Sequence, residues 1–273
     1  MRERAQLAGA RRVVVKVGSS SISGENAHKI ATIVDGLAAA HARGTEVVLV
    51  SSGAIATGMP YLSLDERPVD LATQQAAAAV GQNVLIYRYQ DALRPFQIVA
   101  GQVLLTAGDL ENATHRSNAR RAMERLLGLR ILPIVNENDT VATHEIRFGD
   151  NDRLAAMVAE LIGADALVLL SDIEALYTRP PSEPGARPID TVAHDDDLSG
   201  FEFGATVVNS VGTGGAATKA SAARLAAASG IGVLVTSADL VDEALSGASI
   251  GTWFAPNPDV TPSSATAPVR TGA

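Results

Sequence analysis

Short apolar runs alternate with helix-length segments along most of this chain of 273 residues. The runs are rich in Val, Ile and Leu, which is typical of strands that are buried on both faces. Parallel strands need crossover connections, and helices usually supply them. The alternation therefore predicts an α/β fold, a three-layer α/β/α sandwich with a mostly parallel central sheet.

Two segments interrupt this alternation. Residues 141–148 are predicted to form a short hairpin over the sheet, and the proline-rich residues 179–200 an excursion or lid. We expect residues 1–256 to form one domain, and residues 257–273, rich in Pro, Ser, Thr and Ala, to be a disordered tail. The predicted strands are 12–17, 46–51, 98–105, 131–135, 166–170 and 232–236, and the predicted helices are 26–43, 71–93, 114–127, 151–162 and 216–229.

Composition excludes several classes of protein. The formal net charge of −8 argues against nucleic acid as a general partner, because that affinity rests on a basic surface. The absence of cysteine excludes disulfides, thiolate catalysis and Cys-ligated zinc. No apolar run reaches the roughly 18 residues of a membrane span, and the N-terminus has no stretch apolar enough for a secretion signal. We therefore expect a cytoplasmic protein without a membrane or nucleic-acid partner.

Two glycine-rich turns each carry a lysine. Residues 212–219 read Gly-Thr-Gly-Gly-Ala-Ala-Thr-Lys and open an alanine-rich helix, whose N-terminus and backbone N–H groups suit a polyphosphate. Lys16 closes a valine-rich strand and is followed by Gly18. A lone lysine there would be expected to snorkel to the surface, but a buried one needs an anion. Together with Lys219, it indicates phosphoryl transfer, with both cations on the transferred group.

Polar residues follow the predicted strands, where ligands bind in open parallel sheets. Ser52 and Gly53 form a turn that opens a small helix, and its N–H groups can hold a carboxylate or phosphate, although an ordinary N-cap serine is an equal alternative. Asn136 and Asp139 can hold an α-carboxylate and an α-amino group, where the alternative is a polar turn. Ser171-Asp172 lies where a ribose or adenine would lie, or is a simple strand-to-loop turn.

A second cluster, Asp150-Asn151-Asp152, precedes the helix at 151–162. One helix cap explains one of these residues but not two aspartates around an asparagine. A carboxylate between two lysines would hold both ammonium groups, and we assign that role to Asp152, with Asn151 facing the substrate. The histidines lack metal-ligand spacing and the acidic run 195–197 is interpreted as a solvated surface, so no protein metal site is predicted.

A dinucleotide-binding unit is the main rival interpretation of the C-terminal motif. Gly212, Gly214 and Ala217 match the G-x-G-x-x-G/A spacing. The motif lies near the C-terminus, however, which leaves too few residues for two nucleotide-binding halves. Lys219 suits a terminal phosphate better than a pyrophosphate, and this interpretation leaves Lys16 unexplained. A Walker P-loop is excluded, because no G-x-x-x-x-G-K-[ST] occurs.

Five motifs together resemble the amino acid kinase family, and within it the enzymes that phosphorylate glutamate. The resemblance implies that ATP phosphorylates the γ-carboxylate of L-glutamate to γ-glutamyl phosphate, the first step of proline biosynthesis. It also implies Mg²⁺ held mainly by the nucleotide phosphates, feedback inhibition by proline, and a homo-oligomer. It spans about residues 11–256, the catalytic domain, and is carried by segments 15–20, 51–58, 133–141, 148–154 and 212–219.

The resemblance also implies roles for individual residues. In the catalytic set, Lys16 and Lys219 act on the phosphoryl group and Asp152 organises them. The residues that hold glutamate are Ser52, Asp139 and Asn151, to which the strand-end argument adds Gly53 and Asn136. The residues that hold ATP are Lys16, Ser171, Asp172, Thr213, Gly214, Gly215 and Lys219.

Two departures from the family pattern bear on function. Glu174-Ala175 stands where Asp-Gly is usual, so the nucleotide loop is expected to differ in shape. Many relatives also carry a C-terminal β-rich module of the kind found in RNA-modifying enzymes, and from the length of this sequence we expect that module to be absent. Two other functions stay open, namely a non-catalytic sensor that keeps the fold, and a family member with a different acidic substrate.

Overall fold

A computed structural model describes residues 1–142, 151–201 and 215–262, and the architecture below refers to these ranges. One sheet contains all eight strands found in them. The strands are β1 Arg12–Val17, β2 Glu46–Val50, β3 Ala100–Leu105, β4 Leu132–Glu137, β5 Ala166–Ser171, β6 Thr191–Val192, β7 Gly232–Ser237 and β8 Thr252–Phe254. Their order across the sheet is β3-β4-β2-β1-β5-β7-β8-β6, and every pair is parallel except β7 with β8.

Helices cover both faces of this sheet. Successive side chains of a strand point to opposite faces, so the alternate valines of β1 enter two different cores. The helices are α1 Lys29–Ala42, α2 Ala54–Gly58, α3 Leu71–Leu93, α4 Ala107–Glu111, α5 Ala113–Gly128, α6 Asn151–Leu161, α7 Ala216–Ala228 and α8 Val241–Leu245. Val14 packs in one core with residues of α5, α6 and α7, and Val15 packs in the other with residues of α1, α3 and α8.

The predicted three-layer α/β/α fold is confirmed, and so is the order of its main elements. The strand at 12–17 and the helix at 71–93 have the predicted bounds, and the other predicted elements end within three residues of the observed ones. The largest difference is at α1, where residues 24–28 form a 3-10 helix before the α-helix begins. Periodic burial of apolar residues is therefore a sufficient signal for the long elements of this chain.

The sequence did not predict the two short strands at one edge of the sheet. β6 lies inside the segment 179–200 that was expected to be an excursion, and it pairs with β8. β8 in turn runs antiparallel to β7, which makes this edge mixed. Strands of two and three residues contain too few positions for any periodicity to appear, so only pairing identifies them.

Three expectations concern segments at the limits of the described residues. Of the hairpin predicted at 141–148, residues 143–148 lie outside the described residues. The disordered tail at 257–273 stays a prediction: the structure describes it as far as residue 262, and the backbone N–H of Asn257 donates to the carbonyl of Ala227. Membrane spans were not expected, and none of the helices in the described ranges combines the length and apolarity that a bilayer crossing requires.

Candidate active site

Parallel pairing brings the carboxyl ends of four strands to one edge of the sheet. Lys16 is level with Val50 of β2 and with Leu169 of β5, and Val50 is level with Val135 of β4. The polar residues that follow these strands therefore lie side by side, although up to about 150 residues separate them in the sequence. This edge is where the candidate site forms.

Two buried lysines share one buried carboxylate at this edge. Lys16 at the end of β1 contacts Asp152 Oδ1, and Lys219 in the first turn of α7 contacts Asp152 Oδ2 at 3.3 Å. Lys16 is 2% exposed, Asp152 0% and Lys219 6%. Buried charges persist only when they are paired, and the first turn of α6 additionally favours the carboxylate of Asp152. Asp152 thus lies between the two ammonium groups, as its predicted role requires.

Thr218 is a further contact of this carboxylate, a contact that was not predicted from the sequence. Its hydroxyl lies 3.3 Å from Asp152 Oδ2, accepts the backbone N–H of Gly215 over 3.0 Å and lies 2.9 Å from the Gly215 carbonyl oxygen. Gly215, predicted to touch nucleotide, is the N-cap of α7. A threonine three residues after an N-cap position was the available signal, since it can bond back to the cap. Thr218 links the glycine-rich turn to the lysine–carboxylate cluster.

The predicted substrate residues Asn136 and Asn151 meet in a second, neutral network. Asn151 Nδ2 donates to Asn136 Oδ1 and to the carbonyl oxygen of Ser51, each over 2.8 Å. Asn136 Oδ1 also accepts the backbone N–H of Glu137 over 2.8 Å, and its Nδ2 donates to Gln82 Oε1 over 2.7 Å. The network joins the ends of β2 and β4 to the start of α6 and to α3.

Helix α3 contributes two residues to the site that sequence reasoning did not single out. Gln82 bonds Asn136, and the buried phenol of Tyr89 lies 3.0 Å from the hydroxyl of Ser51. Burial raises the pKa of Tyr89 above its ordinary value, so this group stays a neutral hydrogen-bonding partner. Polar residues spaced at helical intervals on an alanine-rich helix were the only signal, and a solvent-facing stripe has the same pattern.

The turn formed by Ser52 and Gly53 opens α2, as expected. Gly53 has a φ of 88°, in the left-handed region that side chains rarely adopt. A Cβ there would lie 2.9 Å from the hydroxyl oxygen of Ser23, which belongs to the loop after β1. Glycine at this position therefore lets the loops after β1 and β2 approach each other beside Lys16.

Asp139 and Thr140 follow β4 and line a groove together with Gln82 of α3. The groove is open to solvent between α3 and the ends of β3 and β4, so a small polar ligand could enter it. Asp139 thus borders the same groove as Gln82 of the amide network, and its place in a substrate site stays a prediction.

Ser171 and Asp172 lie at the end of β5, where the hydroxyl of Ser171 donates to Asp172 Oδ1 over 3.1 Å. Because β5 pairs with β1, they lie on the side of Lys16 opposite to the amide network. Further along this loop, Ala175 is not one of the non-glycine residues with positive φ in the described ranges. Its backbone thus adopts a conformation open to any residue and does not require the usual glycine.

Some predicted site residues cannot be placed. Thr213 and Gly214 lie outside the described residues, as does Asp150. In the ranges that the structure does describe, no group of three or more His, Asp or Glu side chains could hold a metal ion. The groups that contact Asp152 are two ammonium groups and a hydroxyl, and the amides of Asn136 and Asn151 lie at the same strand ends, a set that suits phosphate and carboxylate ligands.

Comparisons with known proteins identify the family of this chain. Residues 11–237 match the amino acid kinase family. The chain is 73% identical over 253 residues to a glutamate 5-kinase of Clavibacter sepedonicus, an alignment that covers 93% of this chain and 97% of that protein. It is 70% identical over 254 residues to a glutamate 5-kinase of Leifsonia xyli subsp. xyli, covering 93% and 94%.

Solved structures resemble the fold at much lower sequence identity. The carbamate kinase from Giardia lamblia bound to AMP-PNP superposes with a TM-score of 0.67 at 15% identity, covering 92% of this chain and 100% of that chain. At that identity the likeness concerns the fold alone.

Proposed function

The chain belongs to the amino acid kinase family, and from that premise we infer that it phosphorylates the γ-carboxylate of L-glutamate with ATP. The product is γ-glutamyl phosphate, the first intermediate of proline biosynthesis. The observation that carries this proposal is the buried cluster in which Asp152 contacts both Lys16 and Lys219. A cluster of buried cations at the open edge of a parallel sheet is suited to an anionic group in transfer.

The lysines act by stabilising charge, and the reaction needs no general base. An oxygen of the γ-carboxylate bonds to the γ-phosphorus of ATP while the bond to the β–γ bridging oxygen breaks, and ADP leaves with that electron pair. A carboxylate is already a nucleophile at neutral pH, so positioning and charge neutralisation are the work left to the protein. We propose that Lys16 and Lys219 contact the transferring phosphoryl group and that Asp152 holds their ammonium groups in place.

The neutral network is proposed to hold the amino acid end of glutamate. Both N–H groups of Asn151 are used within the protein, so its Oδ1 is the atom that can accept from a ligand, and an α-ammonium group is such a donor. Asp139 adds a carboxylate for the same group. The Ser52–Gly53 turn supplies backbone N–H groups for a carboxylate. Glutamate would then lie with its γ-carboxylate toward Lys16.

ATP is proposed to lie on the α7 side of the lysines. The first turn of α7 with Lys219 would face the phosphates, and Ser171 and Asp172 would border the nucleoside. Mg²⁺ would be carried mainly by the phosphate oxygens, since hard cations prefer oxygen ligands. The carboxylate of Asp152 is a poor alternative, because it already contacts lysine ammonium groups and the hydroxyl of Thr218. When bound, the ion supplies neutralisation of phosphate charge.

Three further properties are proposals of the same kind. Proline shares an α-carboxylate and an ammonium group with glutamate, so it would compete for the same site as a feedback inhibitor. A homo-oligomer is supported by apolar side chains that are exposed in the second half of α3 and between α3 and β3, those of Tyr87, Phe96 and Val99. A cytoplasmic location fits an enzyme that consumes ATP and glutamate.

Trapping of the acyl phosphate tests the proposed reaction. Purified protein is incubated with Mg-ATP and hydroxylamine, and ADP release is compared for L-glutamate, N-acetylglutamate, aspartate, carbamate and UMP. We expect ADP release that depends on glutamate, together with γ-glutamyl hydroxamate. Turnover with another acceptor but none with glutamate would overturn the substrate and keep the fold. ATP binding without turnover on any acceptor would favour a non-catalytic sensor.

A further inference from the structure

We propose that Gln82 is a positioning residue of the glutamate site, because its side chain sets the amide of Asn136 and, through it, the amide of Asn151. The inference rests on the proposed function, since it concerns the binding of the same substrate. Gln82 lies on α3, outside every sequence motif that indicated the site. It is half-buried and borders the groove that Asp139 lines.

Two backbone groups decide which way the amides of Asn136 and Asn151 face. The N–H of Glu137 donates to one amide atom of Asn136 over 2.8 Å, so that atom is the oxygen. The carbonyl oxygen of Ser51 accepts from one amide atom of Asn151 over 2.8 Å, so that atom is the nitrogen. A backbone N–H can only donate and a carbonyl can only accept. Turning either amide by half a rotation would set two donors or two acceptors against each other.

Gln82 completes this chain on the side of α3. With Oδ1 of Asn136 turned toward Glu137 and Asn151, its Nδ2 faces Gln82 Oε1 at 2.7 Å. Asn136 is 1% exposed, so solvent is a poor substitute for that acceptor. A buried N–H without a partner is unfavourable, and the amide of Asn136 would shift to find one.

Such a shift would reach the substrate through Asn151. The Nδ2 group of Asn151 divides its two N–H bonds between Ser51 and Asn136, and this division points Oδ1 away from both. If Asn136 moved, one N–H of Asn151 would lose its acceptor and Oδ1 would no longer be held in one direction. Asp152 is held separately by the lysines and Thr218, so glutamate binding should suffer more than phosphoryl transfer.

A kinetic double-mutant cycle tests this role. Steady-state constants are measured for the unchanged protein, Gln82→Met, Asn136→Ala and the double variant. Gln82→Met keeps side-chain volume and removes the acceptor, and we expect it to raise KM for glutamate about tenfold while kcat and KM for ATP change less than about threefold. The double variant should match Asn136→Ala alone, because Gln82 acts through Asn136. Arg88→Met places a methionine on the same helix outside the amide network, and it should leave all constants unchanged.

Each result of this cycle either supports or overturns the positioning role of Gln82. An unchanged KM for glutamate in Gln82→Met, or independent multiplying effects in the double variant, would overturn the positioning role while leaving the proposed function intact. Loss of thermal stability in Gln82→Met with equal changes in both KM values would make its role structural and also overturn the inference. If that variant does not fold, Gln82→Ala takes its place in the cycle. No turnover of glutamate by the unchanged protein would overturn the proposed function and this inference together.

Discussion

At the scale of single residues, the most consequential group is the carboxylate of Asp152. It is fully buried, and its two oxygens face ammonium groups that come from β1 and α7. Its role was expected from the sequence because two aspartates around an asparagine exceed what one helix cap needs. The prediction also depended on the two lysines, each of which needed an anion. Their positions in the sequence do not themselves show that they lie close together.

Replacement of Asp152 by asparagine should impair both stability and catalysis. Removing one partner of a buried ion pair costs about 3–5 kcal/mol of unfolding free energy, because it leaves buried charge without compensation. We also expect kcat to fall by about a hundredfold or more, since the lysines lose the group that positions them. Urea unfolding and steady-state kinetics measure the two effects.

A matched control is the surface pair of Lys29 and Asp239, which are 2.8 Å apart and partly exposed. Asp239→Asn removes the same kind of contact, but exposed ion pairs contribute only about 0–1 kcal/mol. Wild-type kcat in Asp152→Asn, or an equal loss of stability in both variants, would contradict the proposed role of Asp152.

The hydrogen bond between Tyr89 and Ser51 makes a second prediction at this scale. Tyr89→Phe removes only the phenolic hydroxyl, which lies 3.0 Å from the hydroxyl of Ser51. Loss of this buried hydrogen bond should lower the unfolding free energy by about 1 kcal/mol. Tyr87→Phe, on the same helix but 65% exposed, should change it by less than about 0.5 kcal/mol. Urea denaturation compares the two. Equal values for both variants would show that the Tyr89 hydroxyl contributes nothing to stability.

At the scale of elements, the crossing of α2 and α3 determines where the Ser52–Gly53 turn lies. The two helices touch through glycines: a Cβ on Gly81 would lie 1.8 Å from the carbonyl oxygen of Ala54, and a Cβ on Gly58 would lie 1.9 Å from that of Ala77. Backbone groups are in the way on both sides, so neither position accepts a side chain without separating the helices. α3 thereby holds the short α2, and with it the turn that opens it.

Gly81→Ala should therefore destabilise the protein although alanine favours helices. The intrinsic gain of about 1 kcal/mol is outweighed by overpacking, which costs about 1–3 kcal/mol and more where backbone must move. We expect a net loss in urea denaturation and a higher KM for glutamate, because the displaced α2 follows the Ser52–Gly53 turn that is proposed to hold glutamate.

Gly128→Ala is the control for that substitution. Gly128 is the last residue of α5, and a Cβ there would meet nothing within 4 Å. The unfolding free energy of the Gly128→Ala variant should stay the same or rise slightly. A neutral Gly81→Ala variant would mean that the two helices can separate at little cost.

At the scale of the whole molecule, several carboxyl groups make the free energy of unfolding depend on pH. The backbone N–H of Thr73 lowers the pKa of Asp70, and the hydroxyl of Thr191, with Arg4, lowers that of Asp190. Burial opposes ionisation of Asp109, but hydrogen bonds from Thr106 and the neighbouring His115 outweigh it and lower its pKa. These groups lie on three different parts of the fold, so their effects accumulate.

The direction of the pH dependence follows from these shifts. Because the folded-state pKa values lie below the ordinary 3.8, the stabilisation is complete above that pH and is lost as the pH falls toward the folded-state values. Urea unfolding should therefore show a constant contribution down to about pH 4 and a decline below it. Asp109→Asn should make the decline shallower. A slope that is the same in this variant would contradict the assignment for Asp109.

Local sequence patterns were sufficient to predict the layered α/β architecture, the bounds of β1 and α3, and the types of residue at the strand ends. These features arise from local properties of the chain, namely the period of burial, the chemistry of turns and the presence of a lysine inside an apolar strand. Such signals are written into neighbouring positions of the chain, and no partner from elsewhere is needed to interpret them.

Which distant groups meet depends on the packing of the whole fold. The contact of Gln82 with Asn136, the approach of Gly81 to Ala54 and the pairing of β6 with β8 join segments that no local pattern connects. Strand register and helix crossing set these contacts, and both result from packing of the whole core. For this reason the sequence could indicate a phosphoryl-transfer site but could not identify the residue on α3 that orients its amides.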